Sequence, residues 1–422
     1  MIATSATAAM AAAIVGLVLP DMIKRGDRDG ARTPTLSDAM IDAIVARADG
    51  IPLFLEELTR TILEPGVARR VEEIPATLAD SLMARLDRLS AAKEVAQRAS
   101  VLGREFSYPL LAAVVGLEEA VLRHGLARLD GAEIVFVRGE PPAATYTFKH
   151  ALVQEAAYES LLKRTRRQLH SRVVDVMLAQ FPERVAAEPE VVAGHAELAG
   201  RIDEAITYLQ RAGEQAQARS AHGEAIAQFR KAIALLETQP EGAQRDTWEV
   251  ALQLALAASL IAARGFSHPE TEASCERARA LAERVGDANL LGVAQLSLAG
   301  FYFNRGEVER GRELATEVLV AAEAQGSAEL LAMAHEQVAD PEHYQGKFAS
   351  SLAHCERALA LYDPARHSEL PMLGGDVGVT ARGYGAWNLW CLGSPDSALA
   401  RAEEAVTLGR RLNHPFSLAF AS

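Results

Sequence analysis

Apolar and polar positions follow a helical spacing along most of the chain. From Ser37, "SDAMIDAIVARAD" sets Met40, Ile41, Ile44 and Val45 on one stripe, with Ser37 or Asp38 as cap, and Gly50 ends the helix. Pro52 then falls in the first turn of "PLFLEELTRTILE", where its missing amide proton costs nothing. Gly50-Ile51-Pro52 is therefore the corner between two helices. Residues 65–77 read as a linker, and the pattern predicts further helices over about 77–89, 91–102, 107–116 and 118–131.

The period then changes. "EIVFVRG" (133–139) and "TYTFKH" (145–150) are rich in β-branched and aromatic residues, and "GEPPAA" between them is a turn, so the two predict a hairpin. Three helices followed by a hairpin is the winged-helix order. A long helix over 151–178 is expected to run on from it. Beyond about residue 185 no strand is legible and the helices come in pairs. Gly265, Gly306, Gly346 and Gly393 punctuate them at spacings of 41, 40 and 47. "SCERARAL" and "HCERALAL" match almost residue for residue, and a Glu-Ala-Ile start recurs at 204 and 224. Helix pairs at a near-fixed period predict an α-solenoid. The period exceeds the roughly 34 residues of a standard tetratricopeptide repeat, so these are long or divergent versions.

The expected fold is mostly α, a winged-helix domain followed by an α-solenoid of tetratricopeptide-like helix pairs. Its segments are a poorly defined start (1–36), lid helices around the Gly-x-Pro corner (37–90), the winged-helix domain with its long connecting helix (91–185), and the solenoid (186–422), which stops inside a repeat at "HPFSLAFAS". Two apolar stretches, 8–19 and 415–421, lack obvious cover, and self-association is expected from them. The first is too short for a bilayer, which takes about 20 residues, and no positive region precedes it. No membrane partner is expected.

Composition narrows the function classes. The 422 residues are 49% hydrophobic but 5% aromatic, a bias toward closely packed Ala- and Leu-rich helices. With 43 basic against 56 acidic residues the formal net charge is −13, which disfavours general nucleic-acid binding. Three scattered cysteines make no disulfide framework and no metal-binding spacing; a reducing, cytoplasmic setting fits them. No phosphate-cradling G-x-x-x-x-G-K-[ST] loop is present, and Gly346-Lys347 is followed by Phe348 in a repeat turn. Gly383 and Gly385 sit where helices pair, so packing explains them. His335-Glu336 has no second histidine at the offset a zinc helix needs, and His150 reads as a structural hydrogen-bonding residue. The strongest basic run, "KRTRR" (163–167), reads as a solvated or domain-contacting helix face. The helix that would enter a DNA groove, 118–131, offsets Arg123, His124 and Arg128 with Glu118, Glu119 and Asp130. Base readout wants a more basic end, so the wing is expected to be structural or protein-contacting.

Four stretches carry a family resemblance: "IVARADGIPLFLEELTRTILE", "IPATLADSLMARLDRL", "AQRASVLGREFSYPLLAAV" and "YTFKHALVQEAAYESLL". Together they resemble the downstream half of bacterial STAND-class, AAA+-related signalling ATPases, in the subgroup with an N-terminal class III adenylate/guanylate cyclase domain and C-terminal tetratricopeptide-like repeats. The late stretch around "GYGAWNLWCLGSPDSALARAEEAVTLGRR" is similar to that subgroup's repeats. The resemblance covers roughly 38–422. It implies that Gly50 and Pro52 lie on the adenine side of a nucleotide pocket, the proline against the base. It also implies ATP and magnesium in a full-length relative, while this chain, without Walker motifs or a cyclase domain, holds no cofactor and is not an enzyme by itself. The implied role is regulatory: a protein partner or small inducer on the solenoid biases a nucleotide switch, with a separate nucleotide-binding domain as a further partner. The alternatives are a fragment of an ATPase-type transcriptional regulator that contacts DNA, and a stand-alone protein-binding scaffold.

Overall fold

The computed structural model describes residues 77–364, 375–412 and 415–422, with Phe54 and Leu58 besides. The chain divides into two compact units, with the boundary between Pro182 and Glu183.

The first unit opens with α1 (Leu78–Arg88) and α2 (Ala91–Ser100). Thr77 caps α1 by accepting the Asp80 amide at 3.1 Å, as an N-cap threonine should. After β1 (Glu105–Ser107) come α3 (Tyr108–Val115) and α4 (Glu119–Gly131), then β2 (Val135–Arg138) and β3 (Thr145–Phe148). The three strands form one antiparallel sheet in the order β1-β3-β2. The helices expected over 77–131 and the hairpin are present, whereas the lid helices expected on either side of Gly50-Ile51-Pro52 lie outside the described residues apart from Phe54 and Leu58; β1 was not foreseen, being only three residues long between two helices. Phe106 of β1 and Tyr146 of β3 are register partners, and their rings stack at 5.7 Å. That pair joins Phe148, Leu111, Leu126 and Val95 in the core, and Leu82 and Leu86 of α1 belong to the same cluster.

The long helix expected over 151–178 is two helices, α5 (Ala151–Glu159) and α6 (Lys163–Gln180). Leu162 is extended, with φ −61° and ψ 143°, and starts α6 afresh. Ser160 closes α5: its hydroxyl donates to the Ala157 carbonyl and accepts from the Gln97 carboxamide at 2.8 Å. The apolar phase continues through Leu161 and Leu162, so periodicity alone hides the break.

The second unit begins with α7 (Pro182–Ala187), whose first residue is the last of unit one, and α8 (Pro189–Ala199). Five helix pairs follow among the described residues: α9 (Ile202–Ala218) with α10 (His222–Glu237), α11 (Ala243–Arg264) with α12 (Pro269–Val285), α13 (Ala288–Arg305) with α14 (Val308–Gln325), α15 (Ala328–Tyr344) with α16 (Phe348–Leu361), and α17 (Val377–Cys391) with α18 (Pro395–Leu412). A short α19 (Pro415–Ala421) packs on α17 and α18. No strand occurs among the described residues of this unit. The protein is mostly helical and this unit is an α-solenoid.

The punctuating glycines lie inside the pairs. Gly265, Gly306, Gly346 and Gly393 have φ of 88°, 93°, 75° and 84°, a region that only glycine enters without strain. Past three of them the chain bonds back to the preceding turn, as in Glu307 N–H to the Tyr302 carbonyl at 2.8 Å. First helices of successive pairs also touch one another, α11 on α13, α13 on α15 and α15 on α17, whereas second helices pack chiefly on their sequence neighbours. The first helices are therefore the inner row of the array. Close approach within a pair is plainest at Gly311 of α14, where an added Cβ would sit 2.7 Å from the Ala299 carbonyl oxygen of α13.

Candidate functional site

Gly50 and Pro52, the nucleotide-side residues the resemblance singles out, lie outside the described residues, as does the apolar run 8–19. The described part of unit one gives the basic residues ordinary partners. Arg123 of α4 pairs with Glu119 at 2.6 Å and lies over the Tyr108 ring. Arg166 pairs with Glu159 at 2.7 Å and covers the Tyr158 ring, leaving Lys163, Arg164 and Arg167 exposed on α6. His170 is buried, and burial, helped by the Arg166 charge, lowers its pKa to about 4, so it is neutral; its Nε2 lies 2.9 Å from the Tyr158 hydroxyl.

In the solenoid, a groove of about 310 Å³ opens between α10, α11 and α12. Its guanidinium groups are already engaged: Arg230 forks onto Glu270, and Arg277 onto the buried Glu249 with bonds of 2.6 and 3.0 Å. Beside it Arg284 forks onto Asp246, and that bond holds the Asp246 carboxyl below its usual pKa. These pairs tie α11 to α12 and α10 to α12, so they read as clamps between helices.

A different arrangement occupies the joint of α15, α16 and α17. Ser327 caps α15 and Asp376 caps α17, which fixes where each inner-row helix begins. The phase of α15 then turns Glu336 and Asp340, one helical turn apart, into the interior. They are 6% and 9% exposed. Glu336 accepts a bond from the Gln337 carboxamide at 2.9 Å, while the Thr380 hydroxyl of α17 donates to the Asp376 carbonyl at 3.1 Å. The Asp340 Oδ1 atom is buried with no hydrogen-bond partner among the described residues. Burial raises both carboxyl pKa values, Asp340 well above its ordinary value, and the Glu336 charge adds to that.

Around these acids the polar groups are paired. The His343 Nδ1–H donates to the Asn388 carboxamide oxygen at 2.8 Å, the Asn388 amide donates to Ser351 Oγ at 2.7 Å, and Ser351 donates to the Ala339 carbonyl at 2.8 Å. His335 and His354 approach Nδ1 to Nδ1 at 2.9 Å across α15 and α16. One donates and the other accepts, so the accepting imidazole is neutral; burial, reinforced by His354 and Arg357, takes His335 down to about 4, and burial lowers His354 as well. No cluster of three metal-ligating side chains occurs among the described residues. Cys355 lies in the same core, its thiol pushed up by burial and by the Asp340 charge.

Aromatic rings crowd the same joint. His343, Tyr344, Tyr384, Trp387 and Phe420 form a continuous array with centroids 5.1 to 6.3 Å apart, and Phe303 of α13 extends it through Tyr344. Tyr384 is buried, and burial raises its hydroxyl pKa; Asp340 lies one helical turn before Tyr344 on α15. Its outer members face solvent, Tyr344 at 64% and Trp387 at 43% exposed, and Trp390 on the same helix as Trp387 is 68% exposed. Gly383 takes the packing role expected of it, since a Cβ there would lie 2.5 Å from the Phe420 ring.

Of these residues the sequence marked Gly383 for packing and His335-Glu336, set aside for lack of a second histidine. The partner lies 19 residues away on the next helix. A 40-residue offset along the repeats would have exposed the site, because it aligns Leu296 and Gly300 with Glu336 and Asp340.

No protein-family model matches the chain. It is 25% identical over 390 residues to an uncharacterized protein of Rhizobium meliloti (strain 1021), covering 90% of this chain and 38% of that protein. The chain thus spans less than half the length of this relative. Among solved structures it is similar to the Rap conjugation gene regulator of plasmid pLS20 in complex with the Phr* peptide, at 13% identity and a TM-score of 0.45 over 60% of this chain and 69% of that one. It is also similar to NprR in complex with its cognate peptide NprX, at 10% identity and 0.43 over 74% and 80%. A third likeness is to a STAND protein with a tetratricopeptide repeat sensor from Pyrococcus horikoshii, at 14% and 0.33 over 92% and 65%. At such scores no function is transferred.

Proposed function

We propose that this chain is the regulatory and sensor part of a cytoplasmic signal-transduction ATPase associated with an adenylate/guanylate cyclase. Its helical repeats hold a protein or peptide partner, and it performs no chemistry of its own. The observation that supports this reading most is the exposed aromatic surface of Tyr344, Trp387 and Trp390 on the inner-row helices of the solenoid. In a chain with few aromatic residues, a cluster of large rings left in water marks a docking surface. The first unit, in which α2, β1, α3, α4, β2 and β3 follow one another in winged-helix order, relays the bound state. Gly50 and Pro52 belong in this proposal to the nucleotide switch of the full-length relative, where ATP and magnesium bind.

A displayed library of random twelve-residue peptides, panned against the purified chain, tests the sensor role. Enriched peptides should slow hydrogen exchange at the amides of α15 and α17. Failure to enrich any peptide, or protection confined to residues before 288, overturns it.

The DNA-contacting reading is disfavoured by Arg123, whose guanidinium is committed to Glu119 and the Tyr108 ring.

A further inference from the structure

The Asp340 carboxyl is a cost that the fold does not require. One repeat earlier the equivalent positions are Leu296 and Gly300, and α13 packs in the same way on its neighbours. A buried carboxyl without a partner loses its hydration and gains nothing in return. Neither Asp340 nor Glu336 forms an ion pair among the described residues, although α11 shows that this solenoid can neutralise buried acids with arginine forks, at Asp246 and Glu249. Tyr344 stands one helical turn beyond Asp340 on α15, its ring is joined through Tyr384 to Trp387, and Tyr344 and Trp387 are open to solvent. Aromatic faces with a carboxylate behind them attract a positive organic group by ring quadrupole and by charge, and both effects strengthen where water is excluded.

We propose that the α15–α17 joint is a receptor for an organic cation, the basic side chain of a bound peptide, with Asp340 as its counter-charge and Tyr344 and Trp387 as its aromatic walls. The inference rests on the sensor reading and gives it a ligand class. An aliphatic stem packs along the rings while the cationic head reaches the carboxyl, which supplies the missing partner of Oδ1. The arriving cation favours the ionised form of Asp340, so the carboxyl gives up its proton as it pairs, whereas an acidic peptide offers it no such partner.

The test is a titration of tryptophan emission with two blocked tripeptides, acetyl-Leu-Lys-Leu-amide and its norleucine analogue, which lacks only the ammonium group. Two of the three tryptophans, Trp387 and Trp390, lie at this joint. The lysine peptide should change the emission saturably and bind at least tenfold more tightly than the analogue. Asp340→Asn should abolish that preference while leaving the urea midpoint unchanged or raised, and Trp387→Leu should weaken the lysine peptide alone. Equal binding of the two peptides, or wild-type selectivity in Asp340→Asn, overturns the proposal. n-Butylammonium binding as tightly as the lysine peptide keeps the cation receptor and makes a free amine its source. If panned peptides protect α15 and α17 but carry no basic preference, the sensor reading stands and the cation site falls. If the lysine tripeptide binds while panning enriches nothing, the reverse holds.

Discussion

The third and fourth helix pairs are the same structure built 40 residues apart, and they differ where it matters. Gly292 matches Ala332, Gly311 matches Ser351, and Ala315 matches Cys355, all small residues at close helix contacts. Leu296 and Gly300 match Glu336 and Asp340. The third pair is apolar at these positions; the fourth carries two carboxyls there, beneath a surface of rings. One backbone plan thus accepts both an ordinary core and a polar one. The difference teaches that the scaffold needs only small residues and a helical phase, so that the acids answer to something other than folding.

The comparison is broken most severely by moving the acid. Leu296→Glu should destabilise the solenoid by about 3–5 kcal/mol in urea unfolding, since the new carboxyl is buried without a compensating cation. A loss under 1 kcal/mol would show that any pair tolerates the charge. Gly311→Ser, which installs the fourth pair's residue in the third, should cost about 1–3 kcal/mol because its side chain meets the Ala299 carbonyl.

The converse change sharpens the contrast. Replacing Glu336 and Asp340 together by Leu and Gly should stabilise the chain by about 1–4 kcal/mol at pH 7, because the wild type must keep two buried carboxyls protonated above their ordinary pKa. The gain should depend on pH. Both carboxyls have raised folded-state pKa values, so the folded chain holds protons that the unfolded chain releases above about pH 4. Stability of the wild type therefore falls as pH rises from about 4 to the folded-state pKa values, and the double variant should lack that slope. The facing groups are Asp376, Thr380 and Tyr384 of α17 and Cys355 of α16. Equal gains at pH 4 and pH 7 would mean that the acids are ionised in the folded chain.

The smallest effect concerns His335, whose counterpart is Gln295. Its folded pKa of about 4 lies below the unfolded value near 6.5, so it contributes stability above pH 6.5 that is lost as pH falls toward 4. His335→Gln should flatten that acid limb in thermal melts across pH 4 to 7, and an unchanged limb would assign it to other groups. Between about pH 4 and 6.5 the histidine and the carboxyls act in opposite directions, so only the variants separate them.

Much of this contrast was legible beforehand. The glycine spacing located the turns inside the pairs, because a helix that must reverse at once needs a left-handed residue there. The α9–α10 turn escaped that signal, as Ser220 fills it at φ 58°. The hairpin followed from composition, while β1 was too short to show a period. The break at Ser160–Leu162 was invisible because its apolar residues keep the helical phase across it. The joint itself was not legible residue by residue. Asp340, His354 and Tyr384 come from three helices, and a single helical stripe does not report which stripe it faces. The residues taken from the family resemblance, Gly50 and Pro52, lie outside the described structure, so the notion of a nucleotide corner stands on sequence alone.

Gly311 has a consequence for how this protein can drift over generations. Its Cβ position is occupied by another helix's backbone, so every missense change at that codon is a lesion and only silent changes are free. Forty residues on, at Ser351, the same site already bears a side chain that bonds to the Ala339 carbonyl and to Asn388. Duplicated pairs that began alike will therefore diverge at different rates, fastest where a side chain was once admitted.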